Sequence, residues 1–249
     1  MKGVILSQLT WEEAQNAYET YSIVMLPIGA GTKEHGVHLP CGTDYFIIEE
    51  LAARVVDACP VILLPTVPYA YYPAFIDWPG SVSIKADYFM GFIGDIIKSF
   101  VKHGIRKFLI LDGGVSTQHP LKILSSDLHN ELGILVAVTN ILEIGKEVKD
   151  EVCEQEWGGH ADEVETSSML SINRNTVKMN YAVEEYSHKA TGSCSKNGGQ
   201  KVFLGRKVTS KSGISGNASL ATVEKGEKIL AAQTNDIITF IDYFKRVKI

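Results

Sequence analysis

Two rhythms of apolar residues alternate along this chain. Short continuous apolar runs at 22–28, 61–64, 107–111 and 134–138 are separated by longer segments whose apolar positions repeat at helical spacing. The segment 44–58 carries Ile47, Ile48, Leu51, Ala52 and Val55 along one face, which predicts a helix with one side buried. The segment 85–103 carries Phe89, Phe92, Ile93, Ile96, Ile97, Phe100 and Val101 and stops at Gly104, a residue suited to the left-handed turn that ends a helix. Further helices are predicted over 121–132, 160–170 and 220–244. Thr10-Trp11-Glu12-Glu13 is a capping box that opens a short helix reaching about Tyr18. The apolar runs read as strands, the first ended by Pro27 and Gly29. Their unbroken apolarity suits a parallel sheet covered on both faces. Strands alternating with helices at this spacing are right-handed βαβ units, and the fold class is α/β.

The second half is less regular. Residues 146–159 are charged. The stretch from Asn173 to Ser212 is polar and broken by glycine, with an exposed loop expected at 186–199 and an edge strand or hairpin arm at 202–204. Without an internal repeat or a linker, the organisation expected is one domain over 1–249 with a polar insertion at about 173–212.

Composition narrows the partners. Of 249 residues, 24 are Lys or Arg and 29 are Asp or Glu, giving a formal net charge of -5. No dense basic stripe is present, which argues against nucleic acid and anionic membrane as partners. The N-terminus lacks a sustained apolar stretch, so a secretory signal is not expected there, and no run has the roughly 18 apolar residues of a membrane span. Cys41, Cys59, Cys153 and Cys194 are widely spaced and form no disulfide framework, so a reducing cytoplasm is the expected compartment. Cys41 is expected as a small buried side chain, the alternative being a reactive residue beside the site.

Candidate chemistry is concentrated after the first strand. Residues 34–44 read Glu-His-Gly-Val-His-Leu-Pro-Cys-Gly-Thr-Asp, placing Glu34, His35, His38 and Asp44 on a loop leaving a buried strand. In α/β proteins ligands bind outside the carboxyl ends of the strands. Carboxylate oxygens with imidazole nitrogens suit Zn, Mn or Fe. A polar turn built on Gly and Pro, with Asp44 capping the next helix, explains the same residues without a metal. A second loop, 68–80, is rich in aromatic residues; Tyr71, Tyr72, Phe75 and Trp78 have the character of pocket walls. A third, 112–119, begins Asp112-Gly113-Gly114-Val115-Ser116-Thr117. The segment 157–167 adds His160, Asp162, Glu163 and Glu165.

Taken together these segments resemble the creatininase family, the creatinine amidohydrolases. The family's Glu-Gln-His-Gly-Pro-His-Leu-Pro segment, ending in Thr-Asp, is matched by 33–44. Its Pro-Gly-Thr-x-Ser-Leu is matched by 79–84, and its Gly-His-Ala-Gly-Glu-x-Glu-Thr-Ser by 159–167, with Asp162 in place of a glycine. The resemblance implies a three-layer α/β/α sandwich with a mostly parallel central sheet. It implies two divalent metals per chain, Zn or Mn with Fe as a further option, and hydrolysis of a carbon–nitrogen amide or cyclic amide bond in a small molecule. Asp44 would bridge the metals, with His35 and Glu163 as ligands. His160, or Glu163, would carry a proton to the departing nitrogen. His38, Tyr71, Tyr72, Phe75, Trp78, Asp112 and Ser116 would surround the substrate. A homo-oligomer, with a hexamer among the options, is also implied.

Two positions depart from the family pattern. Lys33 stands where the family has its acidic ligand, so Glu34 is expected to swing inward on a bulge within 29–32, where glycine permits unusual dihedrals. Gly114 stands where the family has a histidine ligand. His119, held on the loop by Pro120, is the candidate replacement, with Asp112 as the alternative; a His119 that is only a solvent-exposed residue before the helix would leave the site with one metal or none. The competing expectation is a catalytically silent binding or structural protein on the same fold.

Overall fold

The computed structural model describes residues 1–186, 193–196, 200–203 and 210–248. Five parallel strands form the central sheet: β1 (Val4–Ile5), β2 (Ile23–Ile28), β3 (Ile62–Leu63), β4 (Lys107–Asp112) and β5 (Leu135–Val138), in the order β1-β3-β2-β4-β5. The helices are α1 (Trp11–Thr20), α2 (Thr43–Ala58), α3 (Ala86–Val101), α4 (Gln118–Leu132), α5 (Lys146–Val152), α6 (Glu163–Asn173) and α7 (Val223–Phe244).

Strand alternation divides the core into two layers. Ile23, Met25, Leu109 and Leu111 pack with Ile47, Ile48 and Leu51 of α2, Met169 of α6, and Leu230, Ile237 and Ile241 of α7. Their sequence neighbours Val24, Leu26, Ile28, Phe108 and Ile110 face the other way, onto Phe89, Ile93 and Ile97 of α3 and Leu121, Leu124 and Leu128 of α4. Every residue of β2 is buried, as a central parallel strand requires. This is the expected α/β/α sandwich.

Boundaries moved where local chemistry outweighed pattern. Pro27 lies inside β2, opposite Leu111 in the register with β4. Its missing N–H is tolerated on the side where pairing with β3 has ended at Leu63 and only the Ile28–Val67 bridge continues. β1 and α5 were not expected. The capping box forms as expected: Glu13 N–H donates to Thr10 Oγ1 at 3.3 Å and Thr10 N–H to Glu13 Oε2 at 2.7 Å. Within the polar segment, Ser193–Lys196 pairs antiparallel with Gln200–Phe203, so a strand crosses the loop expected at 186–199. Residues 187–192, 197–199 and Leu204 lie outside the described residues.

The close packing of α6 against α7 gives a direct test. A Cβ added at Gly226 would collide with the backbone carbonyl of Ser167. Gly226→Ala is expected to lower stability by about 1–3 kcal/mol, the usual cost of forcing atoms into a packed core. A thermal midpoint equal to that of the wild type would show that the two helices do not cross this closely.

Candidate metal and substrate site

The chain runs from β2 to β3 on one side of the sheet and from β4 to β5 on the other. The carboxyl ends of β2 and β4 therefore form the switch point where α/β folds bind ligands. The loop after β2 supplies Lys33, Glu34 and His35, and the first turn of α2 supplies Asp44. These four side chains are nearly excluded from solvent. Buried charges need partners, and here they have them. Asp44 Oδ2 lies 2.7 Å from Lys33 Nζ, and Asp44 Oδ1 lies 2.7 Å from His35 Nε2. Asp44 is thus committed to an ion pair instead of capping its helix. Burial alone would raise its carboxyl, but the Lys33 ammonium and the His35 ring hold it well below the usual carboxylate range.

His35 carries the strongest local signal of a cation. Its Nδ1 lies 3.0 Å from the Lys33 carbonyl oxygen, so that nitrogen carries the proton and donates. The other nitrogen, Nε2, then meets a carboxylate oxygen. Two lone pairs do not approach to 2.7 Å without a proton or a metal ion between them. Burial works against a charged ring, yet Asp44 overcomes this and His35 is raised above the ordinary histidine value. A divalent ion taking the place of that proton would use the same two atoms.

His160 completes the cluster from the neighbouring segment. It forms a bridge with Ser215, and its Nε2 lies 3.0 Å from Glu34 Oε2. Burial lowers its pKa to about 4, so the ring is neutral at pH 7. Nε2–H donates to Glu34, and Nδ1 keeps a lone pair. Carboxylates commonly orient metal-ligating histidines in this way. The expected inward swing of Glu34 thus has a different outcome: the side chain reaches His160. Ligand atoms of His35, His160 and Glu165 all lie within 4.8 Å of one another. Two imidazoles and a carboxylate are a donor set suited to a single Zn or to Mn or Fe. Burial pushes the Glu165 carboxyl up to about 7. Ala161 N–H donates to Glu165 Oε2 at 2.5 Å, and Ala161 adopts φ +49. That left-handed conformation costs a residue with a Cβ about 1–2 kcal/mol.

A cavity of about 270 Å³ opens beside this cluster, walled by Lys33, Tyr72, Phe75, Ser116, His160 and Glu165. The buried Tyr72 hydroxyl has no hydrogen-bond partner among the described residues. A larger cavity of about 460 Å³ shares Gly113, Ile141, Leu142, Gly159 and Glu165 and reaches Asp44.

Several residues expected at the site stand elsewhere. Glu163 is fully buried and turned away: it accepts from the amides of Glu154 at 2.9 Å and Gln155 at 2.8 Å and pairs with Lys225. His119 is exposed and lies in the first turn of α4, because Pro120 is accommodated where a helix needs no amide donor. Among the described residues, no histidine side chain stands at Gly114's place, and its space is filled by neighbours. A Cβ at Gly114 would meet Thr117 Oγ1 at 2.5 Å and Tyr72 Cε1 at 3.0 Å. Asp112 does not line either cavity; Thr117, Gln118 and the Gly114 amide surround it, and burial pushes its carboxyl up to about 7. His38 Nε2 sits 2.8 Å from Thr166 Oγ1 behind the loop. Tyr72, Phe75 and Ser116 line the smaller cavity, whereas Tyr71 and Trp78 line neither one. Cys41 is exposed rather than buried. Lys33 and Glu165 emerge as principal side chains of the cluster. The sequence signal for the first was a lysine at the spacing of an acidic ligand, and for the second the other glutamate of the Gly-His-Ala segment.

Glu34 gives this geometry a test. Gly213 adopts φ +78, and a Cβ there would strike Glu34 Oε1. Gly213→Ala is expected to weaken metal binding by roughly 10–100-fold, the usual cost of disturbing a residue that orients a ligand. Unchanged affinity in a folded variant would show that the Glu34–His160 contact does not matter to the site.

Comparison with known proteins places this geometry in a family. Residues 7–241 match the creatininase family, described as creatinine amidohydrolase. The chain is 26% identical over 193 residues to 3-dehydro-scyllo-inosose hydrolase of Thermotoga maritima, covering 73% of this chain and 60% of that protein. It is 26% identical over 118 residues to creatinine amidohydrolase of Pseudomonas putida, covering 45% of each. The matches thus span about half the length of these curated relatives. A crystal structure of creatininase superposes with a TM-score of 0.80 at 23% identity, covering 99% of this chain and 100% of the other. Structures with TM-scores of 0.80 (21% identity, 98% and 99% covered) and 0.75 (23% identity, 98% and 99% covered) are described as a Zn-Zn mutant form and an Mn form of creatininase. With two buried histidines and a half-buried glutamate clustered at the switch point and a family match over nearly its whole length, this chain belongs to the creatininase family.

Proposed function

We propose that the protein is a metal-dependent hydrolase that opens a carbon–nitrogen bond in a small, flat or cyclic amide. The observation that carries this reading is the convergence of His35, His160 and Glu165 on one point beside a cavity lined by Lys33 and the unpartnered Tyr72 hydroxyl. The names of the two curated relatives support a hydrolase, and the Zn-Zn and Mn forms of solved relatives support a divalent metal. When bound to His35, His160 and Glu165, with Asp44 beside it, the ion supplies electrophilic activation of a carbonyl group and of water.

The chain's own residues do the rest. Asp44 and Glu34 hold the two imidazoles in place. Lys33 brings a positive charge to the cavity wall, and an N–H aimed at the carbonyl oxygen stabilises the negative charge that attack by water creates there. Phe75 and Tyr72 give flat apolar surfaces against which a ring stacks while most water is kept out. His160, neutral and engaged by Glu34, is better suited to hold the ion than to donate a proton. Glu163 is out of reach of the cavity.

We also propose a soluble homo-oligomer. Tyr69, Ile76 and Val82, in and next to the aromatic loop, are exposed, and covering them would remove an apolar patch from water. Sedimentation showing a monomer at high micromolar concentration would contradict this.

One observation favours the silent alternative: Asp44 already has both carboxylate oxygens paired inside the protein. Chelator dialysis followed by assay against a panel of cyclic amides decides between the readings. The hydrolase reading expects activity to vanish on chelation and to return with Zn or Mn. A folded protein that takes up no metal and hydrolyses no member of the panel would establish the silent reading.

A further inference from the structure

We infer that the Lys33 ammonium permanently occupies the place of a second cation, so that this site takes one divalent ion per chain rather than two. The inference rests on the hydrolase reading above and concerns how its site is charged. Asp44 has two oxygens. One faces His35 Nε2 at 2.7 Å, on the side of the His35, His160 and Glu165 cluster. The other faces Lys33 Nζ at the same distance. A carboxylate in this position can bridge two cations, and here one of them is covalently tethered to the protein.

The surroundings suit a cation at this position. Nζ lies 5.2 Å from the centre of the Tyr72 ring and 5.0 Å from that of Phe75, within the range at which aromatic faces attract a cation. The side chain is buried, so it cannot swing into water to make way for an ion without leaving those rings. A divalent ion on Asp44 Oδ2 would meet a like charge at contact distance. It would also lack protein donors. Gly114 offers no side chain, and its Cβ space is filled by Thr117 Oγ1 and Tyr72 Cε1 at 2.5 and 3.0 Å. The Thr117 hydroxyl is itself committed to Asp112 at 2.9 and 2.7 Å.

Metal content measured by elemental analysis after equilibrium dialysis against Zn tests this without reference to activity. The wild type is expected to hold one equivalent per chain. Lys33→Arg, which keeps the charge, should also hold one. Lys33→Glu, which replaces the ammonium with a carboxylate beside Asp44, should rise to two. Two equivalents in the wild type would overturn the inference while leaving the hydrolase reading in place. One equivalent in a folded Lys33→Glu protein would show that the ammonium is not what excludes the second ion. No metal in the wild type would overturn both. If Lys33→Glu does not fold, the wild-type stoichiometry alone decides.

Discussion

Glu165→Gln is expected to abolish tight metal binding and hydrolysis together. The substitution keeps the shape of the side chain and removes its charge. Glu165 is the carboxylate whose oxygen clusters with His35 and His160 within 4.8 Å. Losing a direct ligand should cost more than the roughly 10–100-fold that follows from losing a group that only orients one. The fold should survive, because Glu165 is not an ion-pair partner among the described residues and its hydrogen bond from Ala161 can be retained by an amide oxygen. Competitive chelation measures the affinity, and circular dichroism checks the fold. Metal binding at wild-type strength would remove Glu165 from the site.

Glu163→Ala is expected to do the reverse. Glu163 is two residues away, yet about 200° around the helix at 3.6 residues per turn. Its carboxylate is fully buried and joins the start of α6 to the 154–155 backbone and to Lys225 of α7. Removing it leaves the amides of Glu154 and Gln155 without their charged acceptor, while Lys225 keeps Glu154; two lost hydrogen bonds to a carboxylate cost about 3–5 kcal/mol together. In a chain of this size that is a fall of roughly 10 °C or more in thermal midpoint. Metal affinity of the folded fraction should be unchanged. A stable variant that had lost its metal would return Glu163 to the site.

This pair of glutamates shows where the sequence was legible and where it was not. The strands, both faces of the core and the position of the site after β2 follow from local patterns, and local patterns are written in the sequence. Ile23 and Val24 had to face opposite layers because strands alternate. Which of two glutamates faces the cavity depends on the rotation of α6, and α7 sets that rotation: the Ser167 carbonyl lies against Gly226. The same reasoning covers His119. Pro120 pointed to an extended loop, but the first turn of a helix tolerates proline, and α4 began at Gln118. Tertiary packing likewise gave Lys33 its role. A lysine at that spacing looked like the loss of a ligand, whereas in the folded chain it is the ion-pair partner of Asp44. Asp112 had the right residue type at a strand end but was enclosed by Thr117 and Gln118, a closure made only when the turn folds.

Anomalous diffraction from crystals grown with Zn, collected at the metal edge, would locate every ion held by the cluster of His35, His160 and Glu165 that Lys33 closes. A one-ion site gives one peak per chain, within about 2.0–2.2 Å of a His35 nitrogen, a His160 nitrogen and a Glu165 oxygen. No peak at that cluster, or two peaks about 3.5–4 Å apart astride Asp44 as in two-metal hydrolases, would contradict it.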